Sequence, residues 1–168
     1  MDDFDRLLDH WRRVVDHAAG ELSTVDEGNA RRRPAPGKWS IKEIVGHLID
    51  SASNNHKRFV EAQGRDDLIC LEYAQDAWVH LQRYQESPLP ELLVLWAAYN
   101  RHLAHVVAAT PRNVLDRLRT RHNLDEVAWQ TVPRTEPVTL AYLVRDYVGH
   151  LEHHLAQIRA LLPRGEAS

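Results

Sequence analysis

The sequence predicts an all-α fold, a four-helix bundle with long connections. Three observations carry this. Four long segments repeat apolar residues at three- and four-residue intervals, the period of an amphipathic helix. Helix start and stop residues flank those segments. No alternating strand pattern of useful length interrupts them.

The first helix is expected from about Asp2 to Leu22, with Phe4, Leu7, Leu8, Trp11, Val15, Ala18 and Leu22 on one stripe. Gly20, Gly28 and the turn Pro34-Ala35-Pro36-Gly37 mark its end and the following loop. The second has the clearest start. Ser40-Ile41-Lys42-Glu43 reads as a capping box, in which the hydroxyl takes an orphan backbone N–H and the carboxylate reaches back to the cap. Trp39 precedes it as a staple. Ile41, Ile44, Val45, Leu48, Ala52 and Phe59 form its core stripe, and Gly64 ends it.

Between Arg65 and Ser87 a short helix is suggested by Ala77, Trp78, Leu81 and Tyr84. Ser87-Pro88 reads as the cap and first residue of the third long helix, since a proline there loses no needed N–H. Leu92, Trp96, Tyr99, Leu103, Val106 and Val107 follow, and Pro111 stops it. Another short helix fits Pro111 to Leu118. Arg119 to Pro137 is a long mixed connection, of a length that in compact domains is functional or packed over a site. The last helix is expected from a Thr139 cap to about Leu162, stopped by Pro163 and Gly165.

With 168 residues the expectation is a single domain over 1–168. Composition excludes several classes. The hydrophobic share is 43% and the charged share 27%, which is ordinary for a globular protein rather than a disordered one. No apolar run approaches the roughly 20 residues of a membrane span. The formal net charge of −3 argues against nucleic acid as a partner, and Arg31-Arg32-Arg33 reads as a solvated loop. The start Met1-Asp2-Asp3-Phe4-Asp5 lacks the basic and apolar regions of a secretory signal, so a cytoplasmic protein is expected. Cys70 is the single cysteine. It lies among apolar neighbours and reads as a buried, inert thiol.

Histidine is enriched, 11 residues in all, which permits a metal site without locating one. Two ligands from one helix need i, i+3 or i, i+4 spacing. On the last helix the stripe of Leu140, Val144, Tyr147, Leu151, Ile158 and Leu161 takes in His154 and has His150 at its edge. His153 points away toward solvent. His150 and His154 thus form a pair that could share an ion, with Gly149 leaving room beside them. The alternative is two surface histidines four apart by chance. A third ligand could come from the second helix, where periodicity favours His56, near the apolar stripe. His47 falls on the far side with Ser51, Asn54 and Arg58.

Trp39-Ser40-Ile41-Lys42-Glu43-Ile44-Val45-Gly46-His47-Leu48, followed far downstream by His150-Leu151-Glu152-His153-His154-Leu155-Ala156-Gln157-Ile158, resembles the DinB-like superfamily over nearly the whole chain. The resemblance implies a four-helix bundle with that family's connection order, often dimeric. It also implies three metal ligands, here His47, His150 and His154, so that the face carrying His47, Ser51 and Asn54 lines a groove. It further implies hydrolases, or transferases using a low-molecular-weight thiol such as mycothiol or bacillithiol, and a homodimer acting on a small molecule.

Three neutral imidazoles leave the charge of a divalent ion uncompensated and its other positions free for water or anions. Zinc and nickel both suit such ligands. Asp50, Asp146 and Glu152 lie near the ligands in sequence. Asp146 could orient His150 from four residues away, or be a solvated carboxylate. Asn54, Asn55, Arg58 and Tyr73 are candidates for substrate contact. The competing expectation is a non-catalytic helical module whose metal is structural. An open polar pocket would favour an enzyme, and a fourth protein ligand closing the site would favour the module.

Overall fold

The computed structural model describes residues 2–162. The helices are α1 (Asp3–Leu22), α2 (Glu27–Arg31), α3 (Ile41–Glu61), α4 (Gln75–Leu81), α5 (Leu89–Ala108), α6 (Arg112–Leu115), α7 (Leu124–Val127) and α8 (Leu140–Leu161), with single 3-10 turns at Ala62–Gly64 and Tyr84–Glu86. Among the described residues there is no strand. Two isolated bridges, Leu68 with His122 and Arg119 with Val138, pin the connections. No described helix is long and apolar enough to cross a membrane.

Local sequence explains three of the four long starts. Asp2 accepts the N–H groups of Phe4 and Asp5 at the head of α1. Ser40 Oγ accepts the Glu43 N–H at 3.2 Å, and the Glu43 carboxylate accepts the Ser40 N–H at 2.9 Å, which completes the capping box of α3. Thr139 Oγ1 accepts the Tyr142 N–H at 3.0 Å to open α8. The start of α5 is a correction. Pro88, not Ser87, is the cap residue, and no side chain of its own segment closes the turn. Glu27 of α2 does so instead, accepting the Leu89 N–H at 2.6 Å while holding the fully buried Lys42 at 2.9 Å. Gly28 therefore lies inside a short helix rather than a loop. The stop expected at Pro163 and Gly165 lies outside the described residues.

α1 and α3 each pack against both α5 and α8. The order around the bundle is α1, α5, α3, α8. The chain thus crosses a diagonal between α1 and α3 and again between α5 and α8, which requires long connections there. Trp11, Asn100 and Tyr147 tie three helices together in the core. Asn100 Oδ1 accepts from Trp11 Nε1 at 3.1 Å and from the Tyr147 hydroxyl at 2.7 Å, and its amide donates to the Trp96 carbonyl. Every residue of α3 from Ile41 to Ala52 is buried. That includes Lys42, Glu43, His47, Asp50 and Ser51, because α2, α4, α5 and α8 surround this half of the helix.

The connection after α5 is fixed by Arg119. Its buried guanidinium donates to the carbonyls of Ala62 at 2.9 Å and Arg117 at 3.0 Å. This anchors the segment leading into α7 against the end of α3. Cys70 is buried, and burial raises its thiol pKa, in keeping with an unreactive side chain.

Candidate metal centre

α3 and α8 pack together, and at their contact three imidazoles meet. His150 and His154 stand one turn apart on α8, and His47 faces them from α3. His47 Nε2 is 3.3 Å from His150 Nε2, and His154 Nε2 is 3.0 Å from the same atom. The ring planes cross at 75°, 71° and 79°, so the rings point at a common centre rather than stack. His47 has no exposed surface. Trp39 covers it, ring centroids 4.9 Å apart.

The hydrogen bonds of the outer ring nitrogens decide what the inner ones offer. Gln157 Oε1 lies 2.8 Å from His154 Nδ1, and a carbonyl oxygen can only accept, so that nitrogen carries the proton. Ser51 Oγ lies 3.5 Å from His150 Nδ1, at the limit of a hydrogen bond. His47 Nδ1 is buried without a protein partner. Burial, with the neighbouring rings adding to it, holds His47 and His150 at a pKa of about 3. Burial also lowers His154, against the opposing Gln157 bond. The rings are neutral at pH 7, and Nε2 lone pairs converge on one point. Such an arrangement repels itself unless a cation or proton sits between the nitrogens.

A divalent ion fits this donor set. Imidazole nitrogens bound at about 2.0–2.1 Å, with angles between octahedral and tetrahedral, lie about 2.9–3.4 Å from one another. The separations of 3.3 and 3.0 Å fall in that range. Among the described residues, no other His, Cys, Asp or Glu joins the three.

A groove of about 380 Å³ opens beside His150 and His154. Ser51, Asn55 and Arg58 line it from α3, Tyr73 from the α3–α4 connection, and Trp129 from the α7–α8 connection. The long connection after α5 therefore packs over the site, as its length suggested. Asp146 does the tethering: its two oxygens accept the backbone N–H groups of Trp129 at 3.0 Å and Gln130 at 2.7 Å.

Several expectations are corrected here. His56, favoured by periodicity, is not part of the cluster; its Nδ1 lies 3.2 Å from the Tyr99 hydroxyl. His47 is not solvated, because α3 is buried on all sides at that level. Asp50 does not line the groove. It is buried and accepts from the Tyr84 hydroxyl at 2.6 Å and from Gln82, and burial raises its pKa. Asn54 donates to the Asp50 carbonyl and lines the neighbouring cavity beyond Arg58 instead. Asp146 serves the Trp129 loop rather than His150. Glu152 pairs with His10, away from the cluster. The room left by Gly149 is filled by Trp129. His153 is exposed and His154 half-buried, in agreement with the helical angle. Sequence reasoning assigned no role to Trp129 or Gln157. Gln157 had a usable signal, since it lies three residues after His154 on the same face. Trp129 had none.

Comparison with known proteins adds to this geometry. A sequence profile described as the DinB superfamily matches residues 6–158. A Bacillus cereus protein named "Putative metal-dependent hydrolase" is 23% identical over 164 residues, covering 95% of this chain and 88% of its own. A Bacillus mycoides relative with a name of the same kind is 23% identical over 167 residues, with the same coverage. Among solved structures, YfiT from Bacillus subtilis, described as a probable metal-dependent hydrolase with an unusual four-helix bundle topology, superposes with a TM-score of 0.72 at 19% identity. That match covers 96% of this chain and 87% of YfiT.

Proposed function

Because the chain belongs to the DinB superfamily, we propose that His47, His150 and His154 hold one divalent metal ion, and that the adjoining groove is the active site of a metal-dependent hydrolase of small molecules. The observation that carries this is the convergence of Nε2 atoms with neutral rings, beside an open groove and, among the described residues, without a fourth protein ligand. That combination favours an enzyme over a module with a closed structural site. Zinc and nickel both suit three imidazoles.

The chemistry such an ion supplies is Lewis-acid polarisation and a source of hydroxide near neutral pH. The chain's own residues do the rest. Gln157 fixes the tautomer of His154, so that ring keeps its Nε2 lone pair inward, and Ser51 stands near the outer nitrogen of His150. Trp39 and Trp129 shield the cluster on two sides from bulk water. Asp146 holds the Trp129 loop in place through its backbone.

The reading is tested by elemental analysis of the purified chain together with turnover of a panel of esters and amides. One ion per chain, and activity removed by a chelator and restored by zinc or nickel, is the expected result. A chain that binds no ion overturns the metal site. A chain that binds its ion and turns over none of the panel removes the hydrolase.

A further inference from the structure

We propose that Arg58 anchors a carboxylate of the substrate, so that the groove selects small anionic molecules. This rests on reading the groove as the substrate site. Ser51, Asn55 and Arg58 follow at i, i+4 and i+7 on α3 and continue the face that starts with His47. All three line the groove. Arg58 stands between this groove and the neighbouring cavity, lining both, with its guanidinium on the Leu71 carbonyl. Its charge is felt at Asp146 and Tyr73, where burial raises the pKa and Arg58 opposes that rise.

Arg58 is half-buried, and among the described residues its hydrogen bond is from Nη2 to the Leu71 carbonyl at 2.8 Å. Among the described residues, no carboxylate lies within ion-pair distance of it. The carboxylates of the groove are occupied or remote. Asp146 is held by two backbone N–H groups. Glu126 pairs with Arg134. Glu72 is exposed at the rim and does not reach Arg58.

A partly buried guanidinium without a counter-ion keeps donors available to an anion. One Nη2 hydrogen goes to Leu71, which leaves one edge, the other Nη2 hydrogen with either Nε or Nη1, open to a carboxylate in bidentate geometry. Three neutral imidazoles bring no negative charge to offset a divalent ion, so with the ion bound an anion placed between it and Arg58 would be attracted from both sides. Trp129 and Tyr73 form walls against which the body of such a molecule packs.

The test compares butyrate with butyramide, two probes of the same size and different charge. Binding to the full chain is followed at low salt by NMR of the Trp129 indole N–H, first after chelator treatment and then zinc-loaded. The expected result is that the chelator-treated wild type prefers butyrate by about 10-fold. Arg58→Gln should lose the preference, and Arg58→Lys, which keeps the charge, should retain part of it. Thermal unfolding of each variant establishes that it is folded. No preference in the wild type, or the same preference in Arg58→Gln, would overturn the proposal. So would butyrate binding that appears only with zinc and is equal in Arg58→Gln, since the anion would then sit on the metal. Failure of zinc to bind at all is read separately and leaves the chelator-treated comparison in force.

Discussion

Gly149 and Trp129 are a matched pair: a Cβ on Gly149 would lie 2.9 Å from Cζ3 of the Trp129 ring. Gly46 and Tyr84 are matched more tightly, with a Cβ at 2.0 Å from Cδ2 of Tyr84. The two glycines predict opposite outcomes. Trp129 is partly exposed, so its ring can swing outward, whereas Tyr84 is buried and donates to Asp50. Gly149→Ala should leave stability within about 1 kcal/mol, because alanine favours the helix by about that amount over glycine. It should move Trp129, seen as a red shift in its fluorescence. Gly46→Ala should cost about 2–4 kcal/mol by overpacking and by disturbing a buried hydrogen bond. Urea unfolding measures both. Equal losses would contradict the packing described.

Gln157 positions His154 without lining the groove. Gln157→Leu removes the acceptor for the Nδ1 proton and should weaken zinc affinity by about 10–100-fold. Competition with a chromophoric chelator gives the affinity, and unfolding stability should change little. Gln157→Glu keeps an acceptor and should restore most of the binding. If both variants behave alike, the side chain is a bystander.

Glu43 sets an acid limit on stability. Burial pushes its carboxyl up, but the Arg33 guanidinium and the Ser40 N–H outweigh this and hold it at about 2. The folded pKa lies below the unfolded value of about 4.3. Its contribution is therefore complete above the unfolded value and is lost as pH falls toward 2. Glu43→Gln should cost on the order of 1–2 kcal/mol at pH 7, since Arg33 is half exposed and solvent screens the pair. The difference from wild type should shrink at pH 3. A constant difference across that window would show that the charge is not what matters.

Legibility in the sequence followed the physics of each element. The stripe of α1 and the caps at Ser40 and Thr139 act within one turn, so local pattern finds them. The start of α5 was misread because its cap comes from Glu27, 62 residues away. The short helices α2 and α7, of 5 and 4 residues, are held by tertiary contacts and have too few turns to show a period, whereas the short helix expected after Pro111 is present as α6. His47 defeated periodicity for another reason. A helix surrounded on all sides carries no solvent face, so a polar residue well away from the apolar stripe is not thereby exposed. The resemblance to a known family, not the angle, pointed to His47 in place of His56. The pair on α8 was readable because that helix keeps an exposed side, which separates His153 from His154.

The central claim is that His47 completes the site from the opposite helix. Equilibrium dialysis of wild type and His47→Ala against zinc, followed by elemental analysis, tests it most directly. The account predicts one zinc per wild-type chain. For the variant it predicts affinity weakened by at least about 100-fold, because the two histidines left on α8 are a poor chelate. Full occupancy of His47→Ala at the same free zinc would contradict it.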